Sequence, residues 1–227
     1  MRKNKMTRRC NASGCQTMVA TEHGIYCSKH SAAKRRHGHP DQKGITKHDL
    51  KTYLGIVHEK RKKHEGKLAW IKMEEKWRDL VAIANGVIAR ANEGRAMNRY
   101  KRLAAIEIRK LADHVDPSEI IDTVLAMYLM QELEGRRFRS DNAFWTQLVR
   151  RVRGLTTLNA GVRIDPDTRK KRTTYSELPP KSTLAIASYL RSALGSAGVF
   201  IAQMVRDDRE REEAERRSYF EALTELA

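Results

Sequence analysis

The chain has 227 residues, with 45 Lys and Arg against 28 Asp and Glu, a formal net charge of +17. The length suits one large domain or two small ones, and 40% apolar residues suffice for a packed core. No run of about 18 apolar residues is present, which argues against a membrane span, and the basic start MRKNKMTRRC lacks the apolar stretch of a signal peptide. A charge of this sign calls for a polyanion, because each Lys or Arg that meets a phosphate releases a condensed counterion. Nucleic acid is the first candidate and an anionic membrane surface its competitor.

The charge is uneven. Residues 1–65 carry a net +11 and residues 136–172 a net +8, while residues 66–135 balance and residues 206–227 hold a net −3. Localised electrostatic faces are therefore expected rather than a uniformly basic surface.

In chain order, the first feature is the pattern C-x4-C-x11-C-x2-H formed by Cys10, Cys15, Cys27 and His30. All three cysteines lie in the first 27 residues, an odd number that in a reducing compartment reads as metal ligands rather than a disulfide framework. Asn11, Ser13 and Gly14 allow a tight knuckle between the first pair, and CSKH puts the second pair on one face of a first helical turn. Zn2+ suits such a donor set, with His23, His37 and His39 as rivals to His30 for the fourth position. Gly38 and Pro40 are expected to end the short helix SAAKRRH. A segment this poor in apolar residues needs a metal to order itself.

The stretch from Cys10 to Pro40 resembles a small zinc-binding module of phage proteins, including some phage HNH-type homing endonucleases. That module reads roughly C-x3-G-C, then G-x-Y-C-x2-H, then R-R-H-G-x-P. Cys10, Gly14 and Cys15 match the first part, Gly24, Tyr26, Cys27 and His30 the second, and Arg35, Arg36, His37, Gly38 and Pro40 the third. The resemblance covers about 30 residues. It implies a phage or mobile-element origin and a DNA-related role, but carries no catalytic activity over, since the zinc site is accessory in those enzymes. The missing apolar span and signal-peptide stretch lead to the expectation of a cytoplasmic location, the host's for a phage protein.

After Pro40, His48, His58 and His64 fall on one expected basic helix with no strand pattern around them, which reads as surface rather than a nuclease site. No phosphate-binding G-x-x-x-x-G-K-S/T loop and no H-E-x-x-H occur. Asp113, Asp116 and Asp122 near His114 read as helix termination and capping around Pro117. No catalytic residue is assigned.

From Thr46 onward the pattern is mainly α. Leu50, Leu54 and Val57 mark one helix, ending in the basic cluster Lys60, Arg61, Lys62 and Lys63. Trp70, Met73, Trp77, Leu80, Ala84 and Val87 form the next apolar stripe, closed by Asn92-Glu93-Gly94. Leu103, Ile106, Ile108 and Leu111 mark a third. Asp116-Pro117 is a strong start signal, followed by a broad apolar face from Ile120 to Leu133. Ser140 opens a helix holding Phe144, Trp145 and Leu148, with Arg150, Arg151 and Arg153 on or near its exposed side. Residues 154–180 are irregular, with a short β-hairpin near 162–175: arms Val162–Ile164 and Thr173–Tyr175, turn Asp165-Pro166-Asp167, and Arg169, Lys170, Lys171 and Arg172 at its tip or second arm. Pro179-Pro180 starts a last apolar helix whose Gly195 and Gly198 allow close contact, and the tail from Arg206 is a charged helix.

The expected organisation is a zinc-binding module and basic arm over 1–45, a helical body over 46–205, and a charged C-terminal helix over 206–227. The function expected is nucleic-acid binding, DNA favoured over RNA because few aromatics are available to stack bases, in a regulatory role or as an accessory to recombination or replication. Arg8, Arg9, Lys34, Arg35 and Arg36 join the basic clusters above as phosphate-contact candidates. The alternatives are a protein that binds a host protein through its C-terminal helices, and a nuclease with an unrecognised site. A second copy of the chain is a candidate partner.

Overall fold

A computed structural model describes residues 8–225, side chains 163, 172–174, 222, 223 and 225 excepted. It is mainly helical, with the Cys/His cluster preceding a helical body. The helices are α1 (Ser28–His37), α2 (Lys47–Lys63), α3 (Leu68–Asn92), α4 (Arg99–His114), α5 (Pro117–Leu133), α6 (Asp141–Arg153) and α7 (Pro180–Glu225). Between α6 and α7 stand the strands β1 (Ala160–Ile164) and β2 (Lys171–Tyr175), and a single 3₁₀ turn (Gly135–Arg137) leads into α6.

α5 is the axis of the fold. Every residue from Ile120 to Met130 is buried, as a helix apolar all round requires. α2, α3, α6 and α7 pack around it, and α4 closes against α3 and α7. Asp116 caps α5, accepting the Ser118 N–H at 2.7 Å with Pro117 in the first turn. Asp122, expected to serve capping as well, does something else. It is buried and takes a two-pronged ion pair from Arg61 of α2, with contacts of 2.5 and 3.0 Å.

The stripe on α3 is buried as its spacing predicts, from Trp70 through Val87. Phe144 and Trp145 of α6 form an edge-to-face cluster with Tyr128 of α5 and Phe138. α7 lies close on α5 there: a Cβ on Gly198 would stand 2.5 Å from a ring carbon of Tyr128. Despite the absence of a continuous apolar run, α7 is long and apolar enough to cross a membrane by length and composition. In this fold its Ile186, Leu190, Leu194, Ile201 and Val205 belong to the core. The charged tail continues α7 without a break, and from Arg209 to Glu221 every residue is exposed.

The hairpin forms with antiparallel register Ala160↔Tyr175 to Ile164↔Lys171. Each arm is two residues longer than the expected Val162–Ile164 and Thr173–Tyr175, and the loop runs from Asp165 to Lys170. The Asp165 carboxylate accepts the N–H groups of Asp167 and Thr168.

Candidate functional site

The four candidate metal ligands are brought together by local structure. The Cys10 N–H donates to the Thr17 carbonyl at 2.8 Å and the Cys15 N–H to the Ala12 carbonyl at 3.1 Å, folding Cys10–Cys15 into a knuckle. Gly14 takes φ +68 in it, a left-handed conformation that glycine adopts without steric penalty. Cys27 is the N-cap of α1 and His30 lies in its first turn, so helix geometry alone sets the second pair.

The four ligand atoms lie within 4.8 Å of one another. His30 Nδ1 stands 3.3 Å from both the Cys10 and Cys27 sulfurs. Ligand atoms around one tetrahedral metal with bonds of about 2.0 to 2.3 Å stand roughly 3.5 to 3.8 Å apart, so the four fit a single ion. Cys10 and Cys27 are buried with Ala12 in a small apolar cluster of their own. Hydrogen bonds from the Thr17 side chain and backbone pull the Cys15 thiol down to about 6, while burial pushes the Cys10 thiol up. A metal takes the thiolate, the form that a lowered pKa favours.

The rival histidines stand apart. His37 Nδ1 accepts from the Gln147 amide at 3.1 Å, His39 Nδ1 accepts the Asp41 N–H at 3.2 Å, and His23 is exposed. Asp41 stands 4.0 Å from His30 Nε2, on the side away from the cysteines, where a carboxylate orients a ligating imidazole.

The module docks on α6 through polar contacts. Gln147 is fully buried; its carbonyl accepts the Ile45 N–H at 2.9 Å while its amide faces His37. Asn142 donates to the Gly38 carbonyl at 2.9 Å. Gly38 has φ +85 and lies so close to α6 that a Cβ would meet the Asn142 carbonyl at 2.5 Å.

This docking forms a basic cleft of about 570 Å³ between the module, the start of α2, the end of α6 and the hairpin base. Arg36, Lys47, Arg150, Arg151 and Arg153 line it, with Tyr175 and Glu177. Two of the arginines are committed. Arg36 pairs with Glu177. Arg153 pairs with buried Glu107 of α4 at 2.7 Å and donates to the Ser176 carbonyl at 3.1 Å, holding the hairpin base to the body. Burial pushes the Glu107 carboxyl up, but hydrogen bonds from Lys110 and Arg153 outweigh it and leave the group below its ordinary value.

Other expected phosphate contacts are scattered or engaged. Arg61 is spent on Asp122 and also lies over the Trp70 ring, its guanidinium 4.2 Å from the centroid. Lys60 pairs with Asp208 at 2.7 Å. These two and Arg153 are structural ties rather than free cations, because each faces a carboxylate distant in sequence. Lys62 and Lys63 are exposed at the far end of α2. Arg8 donates to the Glu22 carbonyl and Arg9 to Gln16, both on the module surface. Lys34 stands over the Tyr26 ring at 5.1 Å, and Arg35 is exposed. Arg169, Lys170 and Lys171 are exposed around the hairpin loop, while the side chain of Arg172 lies outside the described ones.

The histidines of α2 do not gather into a site. His48 is exposed, His58 stands 3.4 Å from Asp122, and His64 caps the helix C-terminus. His114 contacts the Lys110 carbonyl. Sequence reasoning missed Lys47 and Tyr175 in the cleft. The signals were the Thr46-x-x-Asp49 capping box, which fixes where α2 begins, and the aromatic closing the second hairpin arm. No family model matches the chain, and comparison with curated proteins and with solved structures returned no match.

Proposed function

We propose that this chain is a zinc-containing, non-enzymatic nucleic-acid-binding protein, with DNA favoured over RNA. The observation that carries the reading is convergence. Basic side chains from α1, α2 and α6, up to 117 residues apart between Arg36 and Arg153, meet on one face with the hairpin base, beside a metal-fitting cluster. Three sulfurs and one imidazole form a closed donor set of the kind structural zinc takes. The resemblance of Cys10 to Pro40 supports a phage or prophage origin and a regulatory or accessory role in recombination or replication.

The test is a titration of labelled DNA with the metal-loaded chain across salt concentrations. Affinity should fall at least about tenfold between roughly 50 and 200 mM salt, and metal analysis should give one zinc per chain. Failure to bind DNA or RNA in dilute salt overturns the reading. DNA incubated at protein excess with magnesium or manganese should stay intact; cut strands would replace the binding reading with a nuclease.

One observation favours a second reading, binding of a host protein through α7. Its free end exposes Tyr219 and Phe220 at 64% and 59%, large apolar surfaces without cover. Truncation after Asp208 separates the readings, since nucleic-acid binding should survive it.

A further inference from the structure

The cleft holds cations that the fold does not neutralise. Arg150 and Arg151 sit side by side at the end of α6, both half-buried, and neither has a carboxylate within ion-pair distance among the described residues. The Arg151 Nε is sealed from solvent without a hydrogen-bond partner. Burial weakens the hold of both guanidinium groups on their protons. The nearest acids are engaged: Glu177 pairs with Arg36, and Asp49 pairs with Arg137 at 2.6 Å while capping α2. A guanidinium taken partly out of water without an anion is costly, and a ligand that supplies one offsets that cost.

The opposite wall supplies more of the same chemistry. Lys47, the first residue of α2, is exposed at the rim. Tyr175 lines the cleft together with Arg151, with 55% of its surface exposed. An exposed aromatic ring beside unpaired cations, in a space large enough for a nucleotide, is the arrangement that grips an unpaired strand: phosphates meet the cations and a base stacks on the ring.

We propose that the cleft between the Cys/His module, α6 and the hairpin is the seat of a single nucleic-acid strand, with Arg150, Arg151 and Lys47 on its phosphodiesters and Tyr175 under a base. The proposal rests on the nucleic-acid reading above and narrows it to three cations and one ring. Arg61, Lys60 and Arg153 lie outside the contact set because the fold uses them internally.

The experiment measures binding of the full, metal-loaded chain to a labelled single-stranded oligonucleotide and its duplex across a salt series. R150Q, R151Q and K47Q are compared with K72Q, an equal charge change at an exposed position on α3. Each cleft variant should weaken single-strand binding about three- to tenfold and lower the salt slope by about 0.7, the loss of one phosphate contact. K72Q should change neither. Y175A should weaken single-strand binding about fivefold or more and leave duplex binding unaltered. R151K, which keeps the charge, guards against misfolding: it should retain the salt slope and a wild-type melting temperature. If the wild-type chain binds but the cleft variants behave like K72Q, the cleft assignment falls and the nucleic-acid reading stands. If Y175A matches wild type on the single strand, the stacking assignment falls. If the wild-type chain binds neither form, both readings fall together.

Discussion

At the scale of single residues, the grouping of the four candidate metal ligands was legible because their geometry is local. A knuckle and a first helical turn fix Cys10, Cys15, Cys27 and His30 without help from the body. Cys27→Ala should therefore abolish metal binding and unfold residues 10–40, while far-ultraviolet circular dichroism keeps the signal of the helical body. What the sequence hid was the fate of individual cations. Arg61 and Arg153 looked as free as Arg151, yet their partners Asp122 and Glu107 lie 61 and 46 residues away, and charge patterning carries no information at that range.

Glu107 is the most consequential of these hidden partners. It accepts from Lys110, Arg153 and Asn159, joining α4, α6 and the hairpin base. Glu107→Gln should cost about 2 kcal/mol near neutral pH, measured by urea unfolding. Its carboxyl lies below its ordinary value in the folded chain. The stabilisation is thus complete above the unfolded value of about 4.3 and is lost as pH falls through the lower folded value. The gap between wild type and variant should accordingly narrow in acid.

At the scale of elements, most helices announced themselves through apolar spacing, and two, α5 and α6, also through the start signals Asp116 and Ser140. Thr46, Asn98, Asp116 and Ser140 each cap the helix that follows. Thr46→Ala removes the side-chain half of a reciprocal cap, leaving the backbone N–H of residue 46 on the Asp49 carboxylate, and should cost about 1 kcal/mol in thermal unfolding. The small residues of α7 had a purpose readable in kind but not in partner. Only the fold shows that Gly198 lies against Tyr128. Gly198→Ala would raise helix propensity, yet the contact should dominate and destabilise the chain by about 1–3 kcal/mol. The hairpin was legible from its Asp-Pro-Asp turn, though its arms extend beyond the strongest β-forming residues.

At the scale of the whole molecule, the body's core and the module's small cluster are separate, and buried polar groups join them. Gln147→Leu should leave the Ile45 N–H without a partner, cost about 1–3 kcal/mol, and raise amide hydrogen exchange across residues 37–45. The cleft could not be read in advance because it exists only where that docking brings α1, α2, α6 and the hairpin together. The basic segments were visible as numbers; which of them share a wall is a property of tertiary contacts.

The uninterrupted course of α7 has an electrical consequence. The helix starts beside the cleft, where Thr183 neighbours Arg35 and Arg150, and passes Lys60 at the other end of α2 before leaving the body. Its last 17 residues, Arg209–Glu225, extend for about 25 Å and carry six acidic against four basic side chains outward, a net −2 in a chain of net +17. The molecule is thereby an elongated dipole, positive at the cleft and negative at the mast. In the field of a polyanion such a body turns before it touches, presenting the cleft and trailing the acidic end.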